Sequence, residues 1–572
     1  MGVKKSNKTS DKSIARMLAE LSAMKGIRHV VISSGSRNAP LAIAFDAQTG
    51  IESLCIIDER SAAFFALGIA QQTNKPVGLI CTSGSAVLNY APAISEAFYQ
   101  KIPLVVITAD RPHEWVDQDD GQTIRQQSIY ANYCKASFNL PVETVHPDEF
   151  WYVQRTVSEA FNRAAEPGNE GPVHINVPFR EPLYKEVEKG KAGYRTIDIP
   201  RTVRQLDKED EKKLLSAWNN AQKKIIICGL HKPDKELNKL LARLADNSSV
   251  AVFTETTSNM QSGKFIGNVD AVVDSFNEGD KIVFQPELLI TLGGPVTSKK
   301  LKMYLRKYRP HQHWHISPAA EHIDTYQSLT NVLTVDEKYF IDLLSRHHSK
   351  GKNKYHSNLA SISRRGYKTL RIYCKKTPFS DFKVMDIILD NIPRNSDLHL
   401  GNSTPIRYAN LFETDAKNNI KYFCNRGVSG IDGVTSTATG AACSTKRIVT
   451  LITGDVGFFY DSNALWSKHL SSNLRIIVIN NRGGGIFRLI DSKDTPLLEK
   501  YFEAKHNMSA EGLARAHNIP YYAAQNENEL EQNMDKLYKE HKSKPAILEV
   551  FTPNELNAEI WSGYFKSLKN ED

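Results

Sequence analysis

Two apolar segments in the carboxyl-terminal third of the chain constrain its fold most strongly. The first, IVTLIT, leads into Gly454-Asp455, and the second, LRIIVIN, leads into Asn480-Asn481 after a helix-length segment. Continuous apolar strands joined through a helix are typical of a parallel sheet that is covered on both faces. The carboxyl ends of such strands meet at one edge of the sheet, where α/β proteins bind ligands. The sequence therefore predicts a carboxylate and a carboxamide side by side at a ligand site.

The groups predicted at this edge suit a hard metal ion and a diphosphate. Mg2+ prefers near-octahedral oxygen ligands and commonly takes one or two protein groups plus phosphate oxygens. The Asp455 carboxylate, the Asn481 side-chain carbonyl and a backbone carbonyl near Gly483 could provide the protein ligands. The glycines 483, 484 and 485 allow the backbone to approach a diphosphate closely. A strand-end aspartate before a glycine turn also occurs in α/β proteins without such a site, so both interpretations stay open here.

The alternation of strands and helices extends along the chain, whose 572 residues are too many for a single core. We predict an α/β fold of three domains with parallel sheets flanked by helices, at 1–185, 205–350 and 377–572. A linker is predicted at 181–210, where the chain is polar, and a second linker or a surface arm at about 346–376, where it is basic. The third segment repeats the strand–helix pattern of the first, which indicates a twofold structural repeat with a diverged middle domain.

Composition and charge exclude several classes of protein. No apolar run approaches the roughly 20 residues that span a bilayer, and the basic amino-terminal stretch lacks the apolar region of a signal peptide. Seven scattered cysteines without a C-x-x-C pair are typical of reduced thiols. The net charge of +9 is spread along the chain, without a zinc-finger or RNA-binding motif. We therefore predict a cytoplasmic protein without nucleic-acid or membrane partners, whose arginines bind small anions.

The first segment offers two kinds of candidate site. The small-residue turns SSGSRN (33–38) and TSGSAV (82–87) each open a helix, where free N–H groups bind anions readily, although serine and glycine are also ordinary helix caps. Arg37 in the first turn favours ligand binding. Glu59 follows the next strand at the start of a strongly apolar helix. It is either a cap that the helix dipole stabilises, a role Asp58 could also fill, or a carboxyl group facing an apolar pocket.

The order of these motifs resembles one branch of the thiamine-diphosphate enzymes. Asp455 and Asn481 are 26 residues apart (481 − 455), and a GD…NN pair at this separation is the thiamine-diphosphate signature. The strings SSGSRNAPLAIAF, IIDERSAAFFALGIA, ITADRPHEW, GQTIRQ, NRGVSGIDG, GDVGFFYDSNAL and INNRGGGIF occur in the order of the MenD family, the 2-succinyl-5-enolpyruvyl-6-hydroxy-3-cyclohexene-1-carboxylate synthases of the menaquinone pathway. The resemblance covers essentially the whole chain and is weakest in the middle segment.

This resemblance implies a fold and a reaction. The three domains would be the pyrimidine-binding, central and diphosphate-binding domains of a transferase that depends on thiamine diphosphate. That family decarboxylates 2-oxoglutarate on the cofactor and adds the succinyl-semialdehyde carbanion equivalent to isochorismate. Mg2+ or Mn2+, held by Asp455, Asn481 and Gly483, would bridge to the cofactor diphosphate. Glu59 would hydrogen-bond the aminopyrimidine ring, and Ile431 would support the bent form of the cofactor.

The resemblance also implies the remaining site residues. Both substrates are dicarboxylates, which arginine can bind through two parallel hydrogen bonds. The catalytic positions are Glu59, Arg37 and Ser36. The cofactor-binding positions, besides Glu59 and the metal ligands, are Gly401, Ser403, Ser429, Gly430, Ile431, Ile486 and Phe487. The substrate-binding positions are Ser36, Arg37, Arg111, Gln122, Lys299, Lys300, Ser403, Arg407, Arg426, Ile486 and Phe487. A homodimer or tetramer with the cofactor at the subunit interface is implied as well.

Three positions depart from the family pattern, and two alternatives stay open. Ser34 stands where proline is common, Lys300 where arginine is frequent, and Arg482 lies between the asparagine and the glycine of the metal site. One alternative is another thiamine-diphosphate 2-oxo acid enzyme, such as an acetolactate synthase or decarboxylase, which would need fewer cations around its acceptor. The other is a non-catalytic member of the fold, which would have lost Glu59 or Asp455. A nucleotide-dependent dehydrogenase is disfavoured because no domain carries the G-x-G-x-x-G fingerprint.

Overall fold

A computed structural model of the chain describes residues 5–190, 193–347, 353–490, 495–540 and 543–569. Helices and strands alternate through these residues, which confirms the predicted α/β architecture of parallel sheets flanked by helices. In this described part of the chain, no helix is both long and apolar enough to cross a membrane.

The first third of the chain forms a six-stranded parallel sheet of order β3-β2-β4-β5-β7-β6. Alternate residues of its strands enter two separate cores, one on each face, as a doubly covered sheet requires. The strands of the sheet are β2 (His29–Ile32), β3 (Glu52–Cys55), β4 (Val77–Cys81), β5 (Leu104–Asp110), β6 (Ser137–Asn139) and β7 (Val173–Pro178). Two further strands of this third, β1 (Lys8–Ser10) and β8 (Glu186–Glu188), form a separate antiparallel pair. Its helices are α1 (Ser13–Met24), α2 (Ala39–Ala47), α3 (Glu59–Thr73), α4 (Ser85–Asn89), α5 (Ala91–Gln100) and α6 (Pro147–Ala164).

The middle third forms a five-stranded parallel sheet of order β10-β9-β11-β12-β13. Its strands are β9 (Lys224–Cys228), β10 (Val250–Thr254), β11 (Leu288–Leu292), β12 (Gln312–Ile316) and β13 (Asn331–Leu333). Its helices are α7 (Lys208–Asn220), α8 (Lys235–Leu244), α9 (Val269–Asp274), α10 (Glu278–Val283), α11 (Lys299–Lys307) and α12 (Glu337–Arg346).

Most of the segment predicted as a second linker or surface arm is instead a helix, α13 (Tyr355–Lys376), so the prediction was wrong for these residues. Residues 348–352 of the predicted segment lie outside the described part of the chain. The buried residues of α13 include Tyr355, Leu359, Leu370 and Cys374, which recur at helical spacing and pack into the cores of the second half of the chain. These few apolar positions stand among arginines and lysines, so the segment as a whole has the composition of a linker.

The last third forms a six-stranded sheet of order β15-β14-β16-β17-β19-β18. Its strands are β14 (Asp397–Leu400), β15 (Lys421–Phe423), β16 (Val449–Gly454), β17 (Leu474–Asn480), β18 (Tyr521–Ala524) and β19 (Ala546–Phe551). Its helices are α14 (Asp381–Asp390), α15 (Thr404–Ala409), α16 (Val434–Cys443), α17 (Asp455–Tyr460), α18 (Glu511–Ala516), α19 (Glu527–Lys539) and α20 (Asn554–Ser567). Counted along the chain, its strands follow the same spatial order as those of the first sheet, which confirms the predicted structural repeat.

The chain packs into two compact units. The first unit comprises 1–201, 425–446 and 460–474, and therefore includes the first sheet together with α16. The second unit comprises 202–424, 447–459 and 475–572, and carries the other two sheets. Each unit contains its own apolar cores.

Candidate active site

In the second unit, Asp455 lies at the carboxyl end of β16, as predicted. Its side chain is buried, and its Oδ2 accepts a hydrogen bond from the backbone N–H of Gly483 at 2.8 Å. Its Oδ1 accepts the N–H of Val456, also at 2.8 Å. The strand-end carboxylate and the glycine turn that follows β17 are therefore in direct contact.

Asn481, which follows β17, provides a second oxygen at this edge. Its Nδ2 donates to the carboxylate of Asp381 at 3.1 Å, and its Oδ1 has no hydrogen-bond partner among the described residues. A buried carbonyl oxygen without a partner is uncommon in proteins and often indicates a missing ion or water. Carboxylate and amide oxygens are hard donors of the kind that Mg2+ takes, so the residues present fit a magnesium ion.

The glycine turn after Asn481 leaves no room for side chains. A Cβ built on Gly483 would lie 2.6 Å from the carbonyl oxygen of Glu503, and one on Gly485 would lie 2.8 Å from Asn481 Nδ2. Ile486 and Phe487 belong to the short helical turn that follows, where the Phe487 ring packs at 5.6 Å from that of Phe502. The backbone of this turn therefore packs closely against Glu503 and Asn481.

His506 also belongs to this edge, although the sequence did not identify it. Its Nε2 lies 3.2 Å from Asp455 Oδ2, and its Nδ1 accepts the N–H of Met508 at 3.1 Å. The contact with Asp455 raises the pKa of His506. The histidine lies 51 residues after Asp455 (506 − 455), outside any strand or recognisable motif, so the sequence carried no signal for it.

In the first unit, the structure separates the roles of Asp58 and Glu59. Asp58 caps α3, because its Oδ1 accepts the N–H of Ser61 at 2.9 Å, and its Oδ2 accepts the Asn463 amide at 2.6 Å. Glu59 is the first residue of α3 and is partly buried. Burial, and then the charge of Glu59, raise the pKa of the buried Cys81 thiol. Asp58, and not Glu59, is therefore the cap of this helix.

The NRGVSGIDG motif lies in the same unit as Glu59. Buried Glu96 of α5 accepts the backbone N–H groups of Gly427 and Val428 at 2.6 and 2.7 Å, just before Ser429, Gly430 and Ile431. These contacts anchor the segment that carries three predicted cofactor positions.

Helix α16, which follows this motif, packs against α3 backbone to backbone. A Cβ on Gly433 would overlap the Phe64 ring, and a Cβ on Gly68 would lie 2.0 Å from the carbonyl oxygen of Thr437. The glycines therefore bring the helix that begins at Glu59 against the helix that follows Ile431.

Of the three predicted arginines in the first unit, Arg37 and Arg111 influence each other. Arg37 is buried, with Nη1 donating to the carbonyl of Phe179 at 3.0 Å and Nη2 to Glu181 at 3.2 Å. Burial lowers the pKa of Arg37, and the charge of Arg111 lowers it further. Arg111 pairs with Asp120 at 2.9 Å, whereas its Nε lacks a hydrogen-bond partner among the residues that the structure describes. This buried donor is suited to an anionic ligand.

Ser36 and Gln122 belong to turns that adjoin the same strand ends. A Cβ on Gly35 would overlap Thr82, so the two small-residue turns pack against each other. The backbone of Gln122 lies against Gly84 of the second turn, and both Ser36 and Gln122 are exposed. These positions therefore lie around the turn that holds Arg37.

The predicted cations of the second unit are Lys299, Lys300 and Arg407. Lys300 lies 2.5 Å from Asp274 and 3.5 Å from the centre of the Phe565 ring, so its own chain already holds its ammonium group. Lys299 is exposed at the first position of α11. Arg407 donates to the backbone oxygen of Ser403.

Burial raises the pKa of Asp270, and the charges of Lys300 and Arg407 oppose this shift. Both cations therefore act on one partly buried carboxylate of the second unit.

All predicted site residues fall in the described part of the chain, and they divide between the two units. The first unit contains Ser36, Arg37, Glu59, Arg111, Gln122, Arg426, Ser429, Gly430 and Ile431. The second unit contains Lys299, Lys300, Gly401, Ser403, Arg407, Asp455, Asn481, Gly483, Ile486 and Phe487.

Three family models match the chain in succession. Residues 12–129 match the N-terminal TPP binding domain of thiamine pyrophosphate enzymes, 200–400 the middle domain, and 407–550 the C-terminal TPP binding domain. Thiamine pyrophosphate is thiamine diphosphate under another name. The chain therefore contains both halves of a thiamine diphosphate site, and the donors at Asp455 and Asn481 fit the Mg2+ that accompanies this cofactor.

Curated relatives match over nearly the whole chain, and each is named 2-succinyl-5-enolpyruvyl-6-hydroxy-3-cyclohexene-1-carboxylate synthase. The relative from Flavobacterium psychrophilum is 44% identical over 97% of this chain and 98% of its own length. Those from Flavobacterium johnsoniae and Christiangramia forsetii are 41% and 42% identical, each over 97% of this chain and 99% of the relative. The chain thus belongs to the 2-succinyl-5-enolpyruvyl-6-hydroxy-3-cyclohexene-1-carboxylate synthase family of thiamine diphosphate-dependent enzymes.

Proposed function

We propose that the chain decarboxylates 2-oxoglutarate and transfers the remaining four-carbon unit to isochorismate, as a step of menaquinone biosynthesis. The observation that carries this proposal is the placement of two guanidinium groups, Arg37 and Arg111, in the same compact unit as Glu59. Enzymes that act on pyruvate need fewer cations around the acceptor, whereas both substrates proposed here are dicarboxylates. When bound, thiamine diphosphate supplies the nucleophilic carbon and the electron sink for the decarboxylation.

The three sheets correspond to three proposed domains. Residues 1–185 are the pyrimidine-binding domain, 205–350 the central domain and 377–572 the diphosphate-binding domain. The matches to the N-terminal and C-terminal TPP binding domains, at 12–129 and 407–550, support the outer two assignments.

The proposed role of Glu59 is to hold a proton at the N1′ nitrogen of the cofactor pyrimidine. A partly buried carboxyl group can share a proton with a ring nitrogen without competition from water. Because Asp58 already caps α3, the Glu59 carboxyl is available for this task. Ser429, Gly430 and Ile431, anchored through Glu96, would line the cofactor in the same unit.

The metal assignment rests on oxygen donors. Asp455, Asn481 and the backbone carbonyl of Gly483 would hold Mg2+ or Mn2+, which neutralises the cofactor diphosphate. Gly401, Ser403, Ile486 and Phe487 are proposed as further cofactor contacts on this side.

The substrate carboxylates are assigned to the cations and to neighbouring polar groups. The Nε of Arg111 has no hydrogen-bond partner among the described residues, and the guanidinium of Arg37 is buried. Both observations support carboxylate binding in the first unit. Lys300 would bind a carboxylate only by giving up its ion pair with Asp274. The other proposed substrate contacts are Ser36, Gln122, Lys299, Ser403, Arg407, Arg426, Ile486 and Phe487.

We propose that the chain acts in the cytoplasm as a homodimer or tetramer, without nucleic-acid or membrane partners. Large exposed apolar side chains in the first unit, including Leu88, Tyr99 and Trp466, each about half exposed, support a protein interface. All seven cysteines are free thiols, as expected in a reducing compartment. Glu59 of one subunit and Asp455 of another would act on the same cofactor.

The proposed function is tested by incubating the protein with thiamine diphosphate, Mg2+, 2-oxoglutarate and isochorismate. Isochorismate should disappear from the ultraviolet spectrum, and omission of either 2-oxoglutarate or the cofactor should prevent this. The contrary result is no loss beyond the enzyme-free control, together with acetolactate formed from pyruvate. That result would assign the chain to the acetolactate synthase type instead.

A further inference from the structure

A buried carboxylate on α14 contacts one of the proposed metal ligands. Asp381 is the first residue of that helix and only 1% exposed. Its Oδ2 accepts the Nδ2 of Asn481 at 3.1 Å, and its Oδ1 accepts the hydroxyl of Thr552. Its backbone N–H donates to Asn557 at 2.8 Å, so the position of the carboxylate is fixed from several sides.

This contact determines which way the Asn481 amide points. An amide side chain has a donor end and an acceptor end of nearly the same shape, whereas an ionised carboxylate can only accept hydrogen bonds. The NH2 group of Asn481 must therefore face Asp381, and its oxygen must face away. That oxygen is one of the buried side-chain atoms that have no hydrogen-bond partner among the described residues.

The surroundings hold the amide in this orientation. A Cβ on Gly485 would lie 2.8 Å from Asn481 Nδ2, so the glycine turn lies directly against the NH2 end. Asp381 contacts Asn481 and Asp455 contacts Gly483, two residues further on, so two buried carboxylates lie against one short segment. Two neighbouring buried carboxylates are costly unless a cation or further hydrogen bonds compensate them, and a metal ion at Asp455 would meet that need.

We propose that Asp381 is a positioning residue, which orients the Asn481 amide so that its oxygen faces the metal ion. This inference rests on the proposed assignment of Asp455 and Asn481 as metal ligands. Groups that orient metal ligands in this way typically account for a 10–100-fold difference in metal affinity. In this proposal Asp381 acts through Asn481 and is not itself a metal ligand.

The test measures Mn2+ affinity by electron paramagnetic resonance, with the full-length protein and saturating thiamine diphosphate. Asp381→Leu removes the acceptor and should weaken Mn2+ binding about 10–100-fold. Asp381→Asn keeps an acceptor but adds a donor, so its loss should be smaller. Asp386→Asn is the matched control, because Asp386 lies on the same helix and pairs with Arg371 instead; it should bind Mn2+ like the wild type.

Thermal unfolding of the metal-free protein separates positioning from a merely structural role. A structural role alone would lower the unfolding midpoint of the Asp381 variants and leave the Mn2+ affinity of the folded protein unchanged, which would overturn the inference. If Asp381→Leu does not fold, Asp381→Asn carries the test, and wild-type affinity in that variant would overturn the inference equally.

Asn481→Ala distinguishes this inference from the proposed metal site. It should weaken Mn2+ binding at least as much as Asp381→Leu does. Unchanged affinity in Asn481→Ala would refute the metal assignment itself. Weak binding in Asn481→Ala beside wild-type binding in Asp381→Leu would refute only the role of Asp381.

Discussion

Asp58 and Glu59 are adjacent acids at the start of α3, and Asp58 is the one that caps the helix. The sequence placed a carboxylate at this helix start but left open which of the two caps it. Only the hydrogen bonds from Ser61 and Asn463 to Asp58 resolve that question. The contact between Asp455 and Gly483 was predictable, because both follow strands of one sheet. The contact between Asp381 and Asn481 was not predictable, because the two residues are 100 positions apart (481 − 381) and Asp381 lies outside any motif.

Replacement of Glu59 by glutamine should abolish turnover and leave the fold intact. The amide cannot exchange a proton with the cofactor pyrimidine, and general acid–base groups commonly contribute about 10²–10⁴-fold to the rate. The thermal midpoint should not change, because Asp58 provides the cap. Steady-state activity, with cofactor binding followed by fluorescence, checks this.

Asp58→Ala is the complementary variant, since loss of an N-cap costs about 0.5–2 kcal/mol. It should lower the unfolding midpoint. Near-normal turnover in Glu59→Gln would refute the role assigned to Glu59.

At the scale of elements, long apolar strands such as β16 and β17 followed from apolar patterning, whereas α13 did not. Its buried positions are few, and its exposed arginines and lysines dominate the local composition. The packing of α3 on α16 could not be predicted from the sequence either, because it depends on the absence of side chains at Gly68, Gly433 and Gly440. A glycine within a helical pattern permits close packing but does not indicate which other helix will pack against it.

Gly68→Ala should destabilise the protein. The new Cβ would lie 2.0 Å from the carbonyl oxygen of Thr437, which is backbone and can move only with α16. We expect a cost of about 1–3 kcal/mol, as is usual for overpacked sites, and a lower thermal midpoint. Gly512→Ala in α18 is the matched control, because nothing lies within 4 Å of its Cβ position. An equal midpoint in both variants would contradict the close approach of the two helices.

His231 joins the turn after β9 to the start of α12. Its Nε2 lies 2.8 Å from Glu337, which also accepts the N–H of Gly293 at 3.1 Å. Burial lowers the pKa of His231, but the hydrogen bond and the charge of Glu337 raise it more, so the net pKa lies above the ordinary value of 6.5. The folded protein therefore binds the proton more tightly than the unfolded chain does.

This ion pair should make the stability of the second unit depend on pH. The ion pair stabilises the folded state fully below pH 6.5, which is the pKa of the histidine in the unfolded chain. This stabilisation is lost as the pH rises through the raised pKa of His231 in the folded protein. His231→Gln should remove this loss when unfolding is measured from pH 6 to 9. The control variant His347→Gln replaces an exposed histidine and should keep the pH dependence of the wild type. Parallel curves for wild type and His231→Gln would contradict the assignment.

At the scale of the whole molecule, the structural repeat of the first and last thirds was predictable, because both segments show a similar strand–helix pattern in the sequence. Among the described residues, the middle sheet has five strands and shares only the first four positions of that order, in keeping with its diverged sequence. The division of the predicted site residues between two compact units could not be predicted. It depends on where 425–446 and 460–474 pack, which no local pattern encodes.

Sharing of the cofactor between subunits predicts complementation. Glu59→Gln and Asp455→Ala should each be inactive alone. After the two variants are unfolded together and refolded, mixed oligomers would contain sites with both residues intact, so a fraction of the activity should return. If both residues came from one chain, every site in a mixed oligomer would lack one of them, and no activity would return.

The proposed reaction is tested most directly by the fate of labelled carbon. The protein is incubated with thiamine diphosphate, Mg2+, isochorismate and uniformly 13C-labelled 2-oxoglutarate, and the products are analysed by mass spectrometry. We predict labelled carbon dioxide and a single adduct in which isochorismate has gained the other four labelled carbons. Labelled carbon dioxide with free succinic semialdehyde and unchanged isochorismate would contradict the proposed transfer.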